Sequence, residues 1–481
     1  MSHPGPVLSP QGARPIHRIV RTRSGSLSIK FMSSHHRWIL LGCSIALCIA
    51  LAFAISQPNV QSFIENSGAN IPTTDVVRDY AYGICWGFAL LFFILLWPIR
   101  WKHKQMLAAG WLVKCVVALV LMLPYEQQYW GLDCWTYFQR AHSGVGGMIA
   151  GLANNGSNIV TGLGTLHLEI GPDSYHAMKL SFAMIGFIAI YLFYRAAEIL
   201  LGRYSPFTFW LLLLYPSALF WSSIMGKDPL ILAAIGLNVW GVVNLSVKRR
   251  KIYVLAVLAG IGAASVVRIW MGPILLVPCL LLATARIKHT GWKIAALFSI
   301  ALALVLLIPL TLNRLQFDRA ADLIEATRTV TAGWDRANSS MRLDTELHST
   351  WDLLLFTPQT MFIAYFRPLP GDIPNLFGWL AGLENLGLLL LSVWAVFRIR
   401  LRHFRAHLFV WSLALLVTWG TAYSVIAYRD LGAAVRYKLQ IIPILLGVIG
   451  YLCRQPSSLR SSEKTLEIPK GMRRPVGLTN P

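Results

Sequence analysis

The sequence predicts an all-α fold, a polytopic transmembrane helical bundle of about 12 spans. Three observations lead there. Apolar runs of spanning length recur along the whole chain. Only 13% of residues are charged, about half the share in ordinary soluble domains. Lys and Arg concentrate in alternate loops. A helix needs roughly 20 apolar residues to cross about 30 Å of hydrocarbon. Such runs lie at 38–56, 80–99, 107–124, 178–194, 207–222, 229–247, 252–268, 270–285, 292–312, 377–397, 407–427 and 438–453. In the pair 252–268 and 270–285, Pro273 and Pro278 interrupt a short second arm, so two spans and a re-entrant hairpin fit equally well.

The ends of the chain read differently. Residues 1–37 hold six Lys/Arg and no acid, which predicts a disordered basic cytoplasmic tail. Residues 454–481 form a second one, and 38–453 are the transmembrane domain. Ala52-Phe-Ala54 resembles a signal-peptide cleavage site, but the long basic lead and the length of the run favour a retained anchor. Orientation follows from the excess of Lys/Arg in cytoplasmic loops. The two tails and the loops at 100–104, 195–203, 248–251, 286–293 and 398–405 carry 28 of the 43 Lys/Arg and three of the 21 acids. The net charge of +22 is therefore topological rather than a nucleic-acid footprint, and both termini are placed in the cytoplasm. Seven cysteines, of which Cys134 alone falls in a predicted loop, imply no disulfide framework. No Cys/His spacing suits a metal; a need for a divalent cation is left open.

In this topology every loop with unusual chemistry faces outward. Two are long, 124–177 and 313–376, and are expected to carry interfacial helices and the site. In the first, Asp133, Tyr137 and Ala141 recur at helical spacing on one face, among Trp130, Trp135 and Phe138. Asp133 is a candidate general base or an N-cap, and Tyr137 shares its face. His167, Glu169 and Asp173 are weaker candidates. In the second, Trp351–Phe366 is expected to lie in the interface, ending in a turn that carries Arg367.

The turn between runs 207–222 and 229–247 carries Lys227 and Asp228. It is too short to hold them clear of the bilayer, and ionisable groups held there are candidates for function. Their plain alternative is structural, with Lys227 snorkelling and Asp228 capping the next helix ahead of Pro229. Arg268, Arg429 and Arg436 are further outward cations, and the planar fork of arginine suits phosphate; pairing with Asp372, Asp430 or lipid headgroups is the alternative. Glu384 sits within a span, roughly 10 Å below the outer surface at 1.5 Å per residue. It should be neutral, paired or in a wet cavity, with Lys114 as a candidate partner. No phosphate-binding glycine loop, nucleophile elbow or zinc signature is present.

Three pieces together carry a family resemblance: the Asp133–Ala141 helix, Pro216-Ser-Ala-Leu-Phe-Trp-Ser-Ser with Gly226-Lys-Asp-Pro229, and Gly432–Pro443 with Arg436-Tyr. They resemble bacterial polysaccharide-assembly membrane proteins, namely C-type glycosyltransferases, which use polyprenyl-phosphate sugars, and O-antigen or exopolysaccharide repeat-unit polymerases. In the C-type group the essential aspartate sits in the first outer loop. Here that loop holds Asp75 and Asp79, and Asp133 lies in the second. Polymerases resemble the chain in their outer-face arginines. The resemblance implies a polyprenyl-(di)phosphate-linked saccharide donor, an acceptor glycan, no nucleic acid, and a place in the bacterial cytoplasmic (inner) membrane. It implies that Asp133 takes the acceptor proton while Lys227, Arg268, Arg367, Arg429 and Arg436 hold the phosphate. Tyr137 and Glu384 are assigned to the substrate as well. Asp228 or Glu384 could instead be the base, or Asp228 could orient Lys227. A polymerase would depend on the arginines and not on Asp133. A lipid-linked saccharide flippase or solute transporter would use Glu384 and Lys114 as coupling groups.

Overall fold

The computed structural model describes residues 53–128, 133–144, 156–285, 350–427 and 431–453, with scattered positions between 42 and 51 and between 287 and 298. The tails 1–37 and 454–481, part of run 38–56, nearly all of run 292–312, residues 313–349 and Arg429 lie outside the described residues. Among those described, the protein is all-helical, with no strand.

The helices run α1 (Pro58–Ser67), α2 (Val76–Leu96), α3 (Trp101–Gln128), α4 (Asp133–Ala141), α5 (Gly156–Ile170), α6 (Tyr175–Leu201), α7 (Pro206–Leu213) and α8 (Pro216–Trp221). There follow α9 (Lys227–Lys248), α10 (Tyr253–Val267), α11 (Met271–Thr284), α12 (Thr350–Phe366), α13 (Leu376–Val396), α14 (His407–Ala427), α15 (Leu431–Lys438) and α16 (Ile442–Cys453). Local chemistry sets several ends. Asp75 caps α2 by accepting from the Arg78 amide at 2.9 Å, and Asn375 caps α13 through the Gly378 amide at 2.7 Å. Gly202 closes α6 at φ 67°, a left-handed position that costs glycine nothing.

Five helices, α2, α3, α6, α9 and α13, are long and apolar enough to cross a membrane, or seven candidates if each of two bent pairs is one span. The twelve expected runs differ from this set in informative ways. Run 207–222 is not one helix: Pro216 has no amide to donate, so α7 stops and α8 starts afresh. Run 438–453 is bent by 64° between α15 and α16, which leaves Lys438 on the far side of the bend. Helices α10 and α11 have 15 and 14 residues, about 22 Å each at 1.5 Å per residue, short of a full crossing. Segment 351–366, expected in the interface, packs along α14, where the Tyr365 hydroxyl donates to the Leu416 carbonyl at 2.6 Å.

Helix α6 packs on both α2 and α9, with Tyr175, Phe182, Ala189 and Tyr194 among its buried side chains. Around the rim, α13 exposes Trp379, Leu380, Leu383, Leu390 and Trp394, a surface suited to hydrocarbon rather than water. The two ends of the bundle differ in chemistry. At one, His103, Arg195 and Glu198 gather where α3 starts and α6 finishes. At the other, the starts of α4 and α9, the turn after α10, and α15 converge.

Candidate functional site

The site begins with a break in the chain. Between α8 and α9 the residues Ser222–Gly226 are buried without being helical. Such backbone is tolerated at membrane depth only inside protein or along a cavity. Two features hold it there. Lys114 Nζ donates to Ser222 Oγ at 2.5 Å from the α3 side. On α6, Gly186 has no side chain to collide with the Ser222 carbonyl, which lies directly against it. The break aims the N-terminus of α9, with its partial positive charge, at the site. Lys227 and Asp228 occupy the first turn.

Asp228 is fully buried and is matched by two arginines from distant parts of the chain. Its Oδ1 accepts from Arg268 Nη2 at 3.4 Å, and its Oδ2 accepts from Arg436 Nε. Asp228 is therefore not a free helix cap; its charge is used to hold two guanidinium groups side by side. Removing one partner of such a buried pair typically costs about 3–5 kcal/mol. The arginines have aromatic supports. Arg268 lies 4.2 Å from the Tyr437 ring centroid and donates to the Tyr423 hydroxyl at 3.2 Å. Tyr423 is stacked on Trp419 and also receives the Trp270 indole N–H at 3.2 Å. Arg436 faces the Trp221 ring at 5.7 Å.

From this buried base the site opens outward. Arg436 is 25% exposed, and its Nη1 lies 3.7 Å from Asp133 Oδ2. The Asp133 side chain is 67% exposed, so this long contact is worth little in stability, about 0–1 kcal/mol. Its carboxylate remains available to something else. Lys227 and Tyr137 stand within electrostatic reach of Asp133, Asp228 and Arg436, and Tyr137 is buried and hydrogen-bonded to Ser157. Lys227, Arg268 and Arg436 against Asp133 and Asp228 leave one formal positive charge in excess. Such a site can bind an anion on its cations and present a carboxylate beside it. Among the described residues, no group of three or more His, Cys, Asp or Glu is arranged to hold a metal ion.

Other expected residues fall elsewhere. The Arg367 guanidinium is clamped on Asp372, at 2.8 and 2.6 Å, and belongs to its own turn. That hydrogen-bonded clamp holds the Asp372 carboxyl below the usual carboxylate range. Glu384 is paired, but not with Lys114: its Oε2 accepts from the Ser217 amide at 2.9 Å and hydroxyl at 2.8 Å, capping α8 from a neighbouring helix. Asp173 meets His142 Nε2 at 2.9 Å, and His167 is buried against Trp86. Arg429 lies outside the described residues.

Sequence reasoning missed Trp221, Tyr423 and Tyr437 as supports. It also missed a buried network beneath α4, in which Lys179 reaches both Glu126 oxygens at 3.0 and 2.9 Å. The available signal was Lys179 at the very start of run 178–194, with Glu126 just beyond run 107–124.

No family model matches the chain. No curated protein matches it significantly, and no solved structure does.

Proposed function

We propose that this protein is a membrane glycosyltransferase. It would move sugar or oligosaccharide from a polyprenyl-(di)phosphate-linked donor to an acceptor glycan at the extracytoplasmic face of a bacterial cytoplasmic membrane. One observation carries the reading: Lys227, Arg268 and Arg436 meet beside an exposed carboxylate, Asp133, although they come from separate segments of the chain. In the proposed step the acceptor oxygen bonds to the anomeric carbon and Asp133 takes its proton. The bond from that carbon to the phosphate oxygen breaks, and the leaving phosphate departs with the electron pair toward the cations. Asp228 has both oxygens committed to arginines, which supports a role as their holder rather than as the base.

A second reading has its own support. Two broken helices, α7–α8–α9 and α15–α16, meet where α8 packs on α15, and discontinuous helices also build the sites of transporters. Purified protein in lipid, offered polyprenyl-phosphate and polyprenyl-diphosphate saccharides, separates the two. Asp133→Asn and Arg436→Ala are each expected to lower donor consumption about 100-fold or more. Loss at Arg436 alone, with a diphosphate donor polymerised, would make it a repeat-unit polymerase. Movement of saccharide across the bilayer with no turnover by the wild type would leave transport.

A further inference from the structure

Beneath Asp133 lies an arrangement that the proposed chemistry does not use. Lys179 and Glu126 form an ion pair fully withdrawn from solvent, on α6 and α3. Such a pair is weak support for stability, because apolar residues of similar volume often serve as well. Its use must be sought in what it holds, and the residue it holds is Tyr175. The Tyr175 hydroxyl lies 3.0 Å from Glu126 Oε1 and 3.2 Å from Cys134 Sγ, so one oxygen bridges the ion pair to the start of α4. The other end of Tyr175 is fixed too: its amide donates to Asp79 Oδ1 at 2.6 Å. Tyr175 is wholly buried, and Phe138, one turn along α4, meets its ring edge-on at 5.6 Å.

Cys134 is the sequence neighbour of Asp133. Whatever sets Cys134 sets the origin of the Asp133 side chain, and that side chain is exposed, with Arg436 3.7 Å away as an ion-pair partner. A solvated carboxylate gains its geometry from the backbone that carries it, since the water around it imposes none. We propose that Tyr175, anchored by Asp79 and by the Glu126–Lys179 pair, is a positioning residue that sets where Asp133 stands relative to Arg436. The inference rests on the proposed role of Asp133 as base.

Tyr175→Phe keeps the ring and removes the bridge. It is expected to lower kcat for donor consumption about tenfold or more, with donor KM within about twofold, because the phosphate-holding cations are untouched. In an Asp133→Asn background the same change should alter the residual rate less than about twofold, since residues acting through one another are non-additive. Hydrogen exchange supplies a readout free of activity: the α4 amides should exchange faster in Tyr175→Phe, and those of α9 should not. Glu126→Leu combined with Lys179→Met guards against misfolding, for it removes both charges together; it should fold and show the same kcat loss.

Wild-type kcat and unchanged α4 exchange in Tyr175→Phe would overturn the proposal. So would rate losses that multiply in the double variant. If Asp133→Asn is silent by itself, the proposed base is wrong, and exchange alone then decides whether Tyr175 sets α4.

Discussion

A carboxylate withdrawn from water persists only where its charge is matched, and at Asp228 the match comes from Arg268 and Arg436. At the surface the same pairing has a different weight. Arg367 and Asp372 are five residues apart and partly solvated, so their clamp shapes one turn rather than a site. Because the folded carboxyl is held below its unfolded value, the clamp stabilises fully above that value, about pH 4. Its contribution is lost as pH falls from there through the lower folded value. The melting temperatures of wild type and Asp372→Asn should therefore differ at neutral pH, begin to converge below about pH 4 and meet once the pH is below the folded value. At this scale the sequence was readable where charge contradicted position. Cations expected to face outward stand out against the expected cytoplasmic bias of Lys and Arg, and Lys227, Arg268 and Arg436 do come together. Arg367 carried the same signal, but its partner was local. Lys179 carried only its place beside Glu126 at the ends of two runs, and a lysine at the end of a run looks like one that snorkels.

Helix breaks decide where those side chains go. The break between α7 and α8 was hidden inside run 207–222, because hydropathy averages over a break that Pro216 imposes on the backbone, whereas the turn before α9 was legible from Lys227 and Asp228. Bent α15–α16 was missed because α15, apart from Lys438, lies before run 438–453 in the segment read as a loop. Spans without a break, such as α2, α6, α9 and α13, were legible from length and apolarity alone. The connector after α8 depends on Gly186, whose missing side chain makes room for the Ser222 carbonyl. Gly186→Ala must push that backbone away, because no flexible side chain can yield. The expected outcome is a fall of several degrees in melting temperature, as for overpacking of about 1–3 kcal/mol, together with lost donor consumption. A wild-type melt would show that the connector moves freely.

Over the whole molecule, charge and chemistry sort to opposite ends. His103, Arg195 and Glu198 gather where the basic loops were expected inside, and Asp133, Asp228, Arg268 and Arg436 gather where the outward loops were expected. In a background without native cysteines, Ser143→Cys beside α4 should react with a membrane-impermeant maleimide in intact spheroplasts. Lys251→Cys after α9 should react only once the membrane is opened. Reversed labelling would invert the topology and move the site inside. The long separation of the charge partners has a further consequence, for biogenesis. Asp228 leaves the ribosome 208 residues before Arg436, a delay of about 10–40 s at 5–20 residues per second. Arg268 follows after only 40 residues, so through most of that interval the nascent chain carries a carboxylate with only one of its two oxygens matched. Chains arrested before α15 would display that unmatched oxygen within the membrane, a mark by which a quality-control protease could tell unfinished molecules from finished ones.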